Sequence, residues 1–267
     1  YLYDTYNSWA YIGGVHPLRT YNTTITGSIF EMHNSLGLSR TPAVVLLDVP
    51  GVAQLLGGKY YLTDEIVEDG EAIDTIAYGD DVKYVMEQDA CPIGFTYDNY
   101  ILKSEFQQLD KNFRGCAALK GLVIEDNLQD EVSHTLDKMD VLDIDENSLR
   151  TMDQDVNRNA QNIVEIYEMN AEGFKAESVQ TKNTYAFFSV PYESGWTVYV
   201  NGQQHKIIKV HGMMAIFLER GNNQIEFRYK IPGANTGFMI SIISFAIWLV
   251  YVSVLKKKFH RKMLCRE

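Results

Sequence analysis

The chain has 267 residues, 46% of them hydrophobic, with 24 Lys and Arg against 35 Asp and Glu and a net charge of −11. That length and apolar content suffice for one or two domains with buried cores. The acid excess argues against nucleic acid as a partner, because a polyanion is repelled, and six scattered His without a CxxC or HExxH pattern give a metal site no support.

Residues 1–40 are rich in Tyr, Asn, Thr and Ser. They read first as loop and short extended pieces broken by Gly13-Gly14 and Pro17. Ile29, Phe30, Met32, His33 and Leu36 then suit a short amphipathic helix stopped by Gly37. Trp9, Tyr11 and Tyr21 are candidates for a sugar-stacking platform, with partly buried loop aromatics as the plainer reading, and Asn22-Thr23-Thr24 is a glycosylation sequon on paper. Pro50 suits the first turn of a helix through Leu56, ended by Gly57-Gly58. Lys59 to Thr63 reads as a strand, and IDTIAYGDDVKYVMEQD as a hairpin about Gly79-Asp80-Asp81.

Gly94 to Tyr100 is aromatic and turn-rich, with Tyr97 and Asp98 as candidate ligand-binding residues. Ser104 is a candidate helix cap, and Leu119 to Glu125 reads as extended. Acid or base work would need two of Asp98, Glu105 and Asp110 to converge; capping and turn roles are the plainer account. Cys91 and Cys116 are expected to be free, buried thiols. Residues 127–160 are acidic and poor in apolar side chains, and read as a connection with a short helix from Asn147. DVLDIDENSL lacks the order of an EF-hand loop, with no Gly at its sixth position.

From Ile163 the pattern is β: Ile163–Met169, Phe174–Val179, Tyr185–Val190, Trp196–Val200, Lys206–Val210, Met213–Leu218 and Gln224–Tyr229. Asn201-Gly202 is a strong hairpin signal. Seven or so short strands with turns between indicate an antiparallel sandwich. Trp196 is a candidate for stacking on sugar, although it shares a strand face with Val198 and Val200 and so suits the core.

Thr236 to Leu255, TGFMISIISFAIWLVYVSVL, carries no charge and reaches about 30 Å as a helix, enough to span a bilayer. KKKFHRK follows, which favours a cytoplasmic tail at 256–267 and an extracytoplasmic location for residues 1–235 of a cell-membrane protein. The tail takes six of the 24 basic and one of the 35 acidic residues, leaving 18 against 34 outside, or −16. The tail suits anionic lipid at the inner leaflet.

The expected class is therefore α+β. A mixed α/β domain spans 1–126, an acidic connection 127–160, and an antiparallel, jelly-roll-like β-sandwich 161–233. A transmembrane helix at 236–255 and a basic tail follow. An outside domain that opens on a polar stretch without a leader is expected to be the C-terminal piece of a longer protein, delivered by earlier spans.

Four features carry a family resemblance. They are LLGGKYYLTD from Leu55, PIGFTYDNYI from Pro92, AALKGLVIED from Ala117, and the pair VPYESGWTVYVNGQ and GNNQIEFRYKIPG before the last span. Together they resemble the C-terminal extracytoplasmic part of the YfhO family of bacterial multi-span membrane proteins, itself similar to C-type glycosyltransferases. The resemblance implies a parent enzyme that moves a sugar from a polyprenyl phosphate onto lipoteichoic acid or another wall polymer. It implies a carboxylate base and a divalent cation in that parent, but no cofactor and no catalytic residue in this stretch, because the catalytic loops are expected near the first spans. The bilayer, upstream spans of the same protein, the lipid-linked sugar and the polymer are the implied partners. The alternative function is a non-catalytic, membrane-anchored surface domain that binds glycan or protein.

Overall fold

A computed structural model describes residues 2–3, 18, 25–39, 47–63, 72–78 and 81–264 of the chain. Trp9, Tyr11, Tyr21 and the Asn22 sequon lie outside the described residues. The architecture is α+β with several antiparallel sheets and a C-terminal apolar helix, as the sequence patterns lead one to expect. Two compact units are present: Tyr1–Glu193 with Thr197–Arg228, and Ser194–Trp196 with Tyr229–Glu267.

In the first unit, β1 (Leu2–Tyr3) pairs in parallel with β2 (Tyr60–Thr63). β2 joins β4 (Asp81–Glu87), which closes a hairpin with β3 (Ala72–Tyr78). Helix α1 (Gly27–Leu36) buries Met32, His33, Ser35 and Leu36, neighbours at helical spacing, and ends where Gly37 returns its N–H to His33. The helix expected from Pro50 is shorter, α2 (Val52–Leu55).

β5 (Gly94–Tyr97) and β6 (Asn99–Leu102) follow, then α3 (Lys103–Phe106), α4 (Lys111–Lys120) and β7 (Leu122–Ile124). β6 and β7 are parallel, so the two helices form the crossover between them. The cap of the longer helix is Asp110, not Ser104. The Asp110 carboxylate accepts from the Asn112 N–H at 2.9 Å, whereas the Ser104 N–H donates to Asp126 at 3.1 Å.

Residues 127–160, which read as an acidic connection, fold onto the core. They form α5 (Gln129–Val132), β8 (Asp137–Lys138, parallel to β6), α6 (Glu146–Arg150) and α7 (Met152–Gln161). Asp145 and Ser148 make a reciprocal capping box on α6. Few apolar residues are needed here: Val132, Leu136, Ile144 and Val156 are buried in the core, and Leu128, Met139, Val141 and Met152 pack against it partly buried. Asp155 is buried and tied to Lys120 and Arg158, each at 2.6 Å.

The β-rich stretch forms β9 (Glu165–Asn170), β10 (Gly173–Gln180), β11 (Thr184–Pro191), β12 (Trp196–Val200), β13 (Gln203–His205), β14 (Ile208–Val210), β15 (Met213–Leu218) and β16 (Gly221–Tyr229). One sheet has the order β13-β12-β16-β10-β9 and the other β14-β15-β11-β5. The second borrows β5 from the N-terminal half, through Tyr185↔Tyr97 to Phe188↔Gly94. The domain boundary expected at 126 therefore falls inside one unit.

β11 faces two cores. Phe188 meets Phe174 at 5.5 Å and Phe227 at 5.0 Å, which joins the two sheets. Phe187, on the other face, meets Phe95 at 5.5 Å within the cluster that holds α1, α4 and β6. Two tight turns set register. Asn201-Gly202 has φ of 52° and 80°, the expected hairpin geometry, and His211-Gly212 has 49° and 73°. The second turn is buried: a Cβ on Gly212 would sit 2.0 Å from the Ser28 carbonyl oxygen. The His211 Nδ1 shares a 2.7 Å hydrogen bond with Ser35, and its ring lies 4.9 Å from that of Phe106.

In the second unit, helix α8 (Ala234–Leu264) contains a 23-residue stretch, Ala234–Lys256, of mean hydropathy 2.4. Its Phe238, Ile247 and Val250 are more than half exposed, unlike those of a core helix in a soluble protein. The Ser241 hydroxyl is satisfied within the helix by the Gly237 carbonyl at 2.9 Å.

Two outcomes follow for stability. Phe188→Ala should cost about 3–5 kcal/mol, whereas Val179→Ala, at an exposed site, should stay within about 0.5 kcal/mol; chemical denaturation of the full chain measures both. Burial first, then the charges of Lys103 and Arg114, lowers the His211 pKa from 6.5 to about 3, so the folded ring is neutral. The unfolded chain binds this proton more readily, so stability is present above about pH 6.5 and falls as pH drops towards 3, by up to about 1.4 kcal/mol per unit. His211→Asn, which tolerates positive φ, should flatten that slope in denaturation curves between pH 6 and 4.

Candidate functional site

Among the described residues of the first unit, Tyr97, Asp98, Glu105 and Asp110 each serve a separate structural contact. Tyr97 is buried in the core, 4% exposed, and its hydroxyl donates to the Ala118 carbonyl at 2.5 Å. Burial pushes its pKa well above the usual phenol value. Asp98, adjacent in sequence, is at the surface and pairs with Lys182 at 2.9 Å. Glu105 pairs with Lys138 at 2.6 Å, and Asp110 caps α4. Each of these carboxylates thus has its own structural partner, and they form no acid–base pair among themselves.

Trp196 lies in the second unit and is half-buried, while Val198 and Val200 further along β12 are fully buried. Its ring packs on Tyr229 at 5.0 Å. The Lys230 N–H donates to the Gly195 carbonyl at 3.0 Å, and a Cβ on Gly195 would meet the Lys230 oxygen at 2.1 Å. The Gly-Trp pair is therefore fitted closely against the end of β16.

Cys91 and Cys116 are free and buried, as expected. Burial pushes their thiols up to about 12 and about 11. They are poor nucleophiles. Among the described residues no group of three His, Cys, Asp or Glu could hold a metal ion.

A cleft of about 490 Å³ in the first unit does gather functional groups. That volume lies within the usual size of small-molecule sites. Glu131 on α5, with His134 and Thr135 in the turn after it, forms one wall. Asn183 and Tyr185, at the start of β11, supply the floor with Phe217 of β15. His205, Lys206 and Ile208, where β13 passes to β14, close the opposite side.

Within the cleft, Lys206 reaches Glu131 at 2.8 Å, so the two charges are mutually satisfied. Asn183 accepts from the Arg220 N–H through Oδ1 at 2.9 Å, which orients its amide. Tyr185 and Phe217 meet edge to face at 5.5 Å. Burial, then the Glu131 charge, raises the Tyr185 pKa to about 12, so its hydroxyl keeps its proton at neutral pH. The site can thus offer both donors and acceptors beside apolar ring surface. None of its residues was a sequence candidate. They come from residues 131–135, 183–185 and 205–217, which only the fold brings together.

Comparison with known proteins bears on the same stretch. The family model described as "Bacterial membrane protein YfhO" matches residues 127–241, a range that contains the whole cleft, both sheets' later strands and the start of α8. The chain is 30% identical over 73 residues to "Uncharacterized protein YfhO" of Bacillus subtilis (strain 168); the match covers 27% of this chain and 8% of that protein. No solved structure matches. Residues 127–241 are thus similar to the YfhO family of bacterial membrane proteins, and the chain also carries a helix long and apolar enough to cross a bilayer.

Proposed function

We propose that this chain is the C-terminal extracytoplasmic part of a membrane glycosyltransferase that uses a polyprenyl-phosphate sugar and modifies lipoteichoic acid or another wall polymer. Residues 1–235 lie outside and the tail at 256–267 lies in the cytoplasm. The observation that carries this reading is the junction at the end of the family match. β16 ends at Tyr229 and α8 begins at Ala234, so four residues separate a folded domain from the bilayer span. At roughly 3.5 Å per residue that linker spans at most about 15 Å, a tether short enough to suit work on a polyprenyl-linked donor. The basic residues after the span support the orientation, and the acidic ectodomain is suited to facing outward rather than lying on anionic lipid.

In such a transfer an acceptor hydroxyl loses its proton to a base and attacks the anomeric carbon. The bond from that carbon to the phosphate oxygen breaks, polyprenyl phosphate leaves, and the configuration inverts. The residues described above do not fit the divalent cation that the family resemblance implies, and their carboxylates are held by structural partners. The part assigned to this chain is therefore positioning: it covers the membrane-embedded site and holds the acceptor.

Reconstitution of the full-length protein with a radiolabelled polyprenyl-phosphate sugar and wall polymer tests the reaction. Label should pass to the polymer, and removal of residues 25–229 with the helix retained should lower transfer by more than about tenfold. A full-length protein that transfers no label, or transfer indifferent to the deletion, overturns the proposal in favour of a surface-binding domain. Orientation is tested in intact cells with Val179→Cys, at an exposed site, and a membrane-impermeant maleimide. Labelling before lysis is expected; labelling only after lysis overturns the outside location.

A further inference from the structure

We propose that the cleft between α5 and the β11–β15 sheet binds a neutral saccharide unit. This rests on the groups in the cleft and stands apart from the transferase reading. The first argument is chemical. A sugar ring presents hydroxyls that both donate and accept, with patches of C–H between them. The cleft matches that pattern with the Glu131 carboxylate, the Asn183 amide, the protonated Tyr185 hydroxyl and the His134 and His205 imidazoles, set beside the Phe217 ring. Asn183 is held by the Arg220 N–H at 2.9 Å, so that contact is preorganised, and the buried Tyr185 ring packs edge to face on Phe217.

The second argument is electrostatic and selects a neutral ligand over a phosphorylated one. Lys206 is the one lysine among the described residues that line the cleft, and Glu131 neutralises it at 2.8 Å. The stretch before the tail carries 34 acidic against 18 basic residues, which opposes the approach of an anion. A nucleic acid or a polyphosphate would find no net positive charge here. A sugar hydroxyl, by contrast, can accept from Lys206 and donate to Glu131 without separating the pair.

The third argument is location. The floor is built on β11 and β15, strands buried on both faces, so ring and amide are fixed by the most constrained part of the fold. The walls come from α5 and from the passage between β13 and β14, short segments at the surface. A rigid floor with adaptable polar walls is a usable arrangement for a polymer segment that enters and leaves.

The test is ligand-observed saturation-transfer NMR on the full chain in nanodiscs, with methyl α-glucopyranoside and N-acetylglucosamine as probes and glycerol 3-phosphate as the anionic comparison. At least one neutral sugar should bind with millimolar affinity, and glycerol 3-phosphate should neither bind nor displace it. Glu131→Ala and His134→Ala, both at exposed positions, should each weaken binding by about fivefold or more, with the thermal midpoint unchanged. Val179→Ala, outside the cleft, should bind as the parent does. No binding of either sugar, binding insensitive to Glu131→Ala and His134→Ala, or tighter binding of glycerol 3-phosphate overturns the inference. Sugar binding without transfer in the reconstituted protein would sink the transferase reading alone, and transfer without sugar binding would sink this one alone.

Discussion

The rest of the first unit depends on β11, whose two faces are both buried. Tyr185 and Phe187 look towards the helices and Ala186 and Phe188 towards the five-stranded sheet, with all four at 2% exposure or less. A strand in that position cannot slip by one residue without exchanging its two apolar sets between cores of different shape. It pairs with β15 on one side and β5 on the other, so it binds the C-terminal strands to a strand almost ninety residues earlier. That pairing is why the N-terminal helices and the later strands share a cluster rather than forming separate domains.

Legibility in the sequence follows from where information is local. The strands between residues 165 and 229 are found because alternation and the Asn201-Gly202 turn are written within a few residues of each other. Helix α1 is found for the same reason, from its periodic apolar residues and Gly37. The role of residues 127–160 is missed because its four buried apolar residues and the four partly buried ones beside them are spread without a regular period, although they suffice to dock short helices. Asp155 is hidden likewise: a carboxylate in an acidic run reads as solvated until Lys120, thirty-five residues away, is brought to 2.6 Å. The cleft is the extreme case. Glu131, Asn183 and His205 have no relation in sequence, and only the closing of β11 against β15 creates one.

Residue type alone also leaves the placement of Tyr97 and Trp196 open, for opposite reasons. An aromatic beside an acidic residue, as in Tyr97-Asp98, resembles a ligand site, but strand alternation sends the ring inward and the carboxylate outward. The Tyr97 hydroxyl then needs a buried partner and takes the Ala118 carbonyl at 2.5 Å. Trp196 shares its parity with Val198 and Val200 and reads as core. It comes at the strand's first position, where its ring packs on Tyr229 at 5.0 Å, and it is half-buried.

The apolar content of β11, β15 and α8 shows how length decides the solvent of a hydrophobic run. MMAIFL is as apolar as the C-terminal stretch and TYAFFSV moderately so, yet six to eight residues of strand are covered on both faces by protein. Twenty-three residues of helix extend about 35 Å, and their side chains remain exposed all along that length. A helix satisfies its own backbone hydrogen bonds, so it can leave water without a protein partner, whereas an isolated strand cannot. The same driving force therefore yields two products from one chain: strands that must find each other, and a helix that needs only lipid.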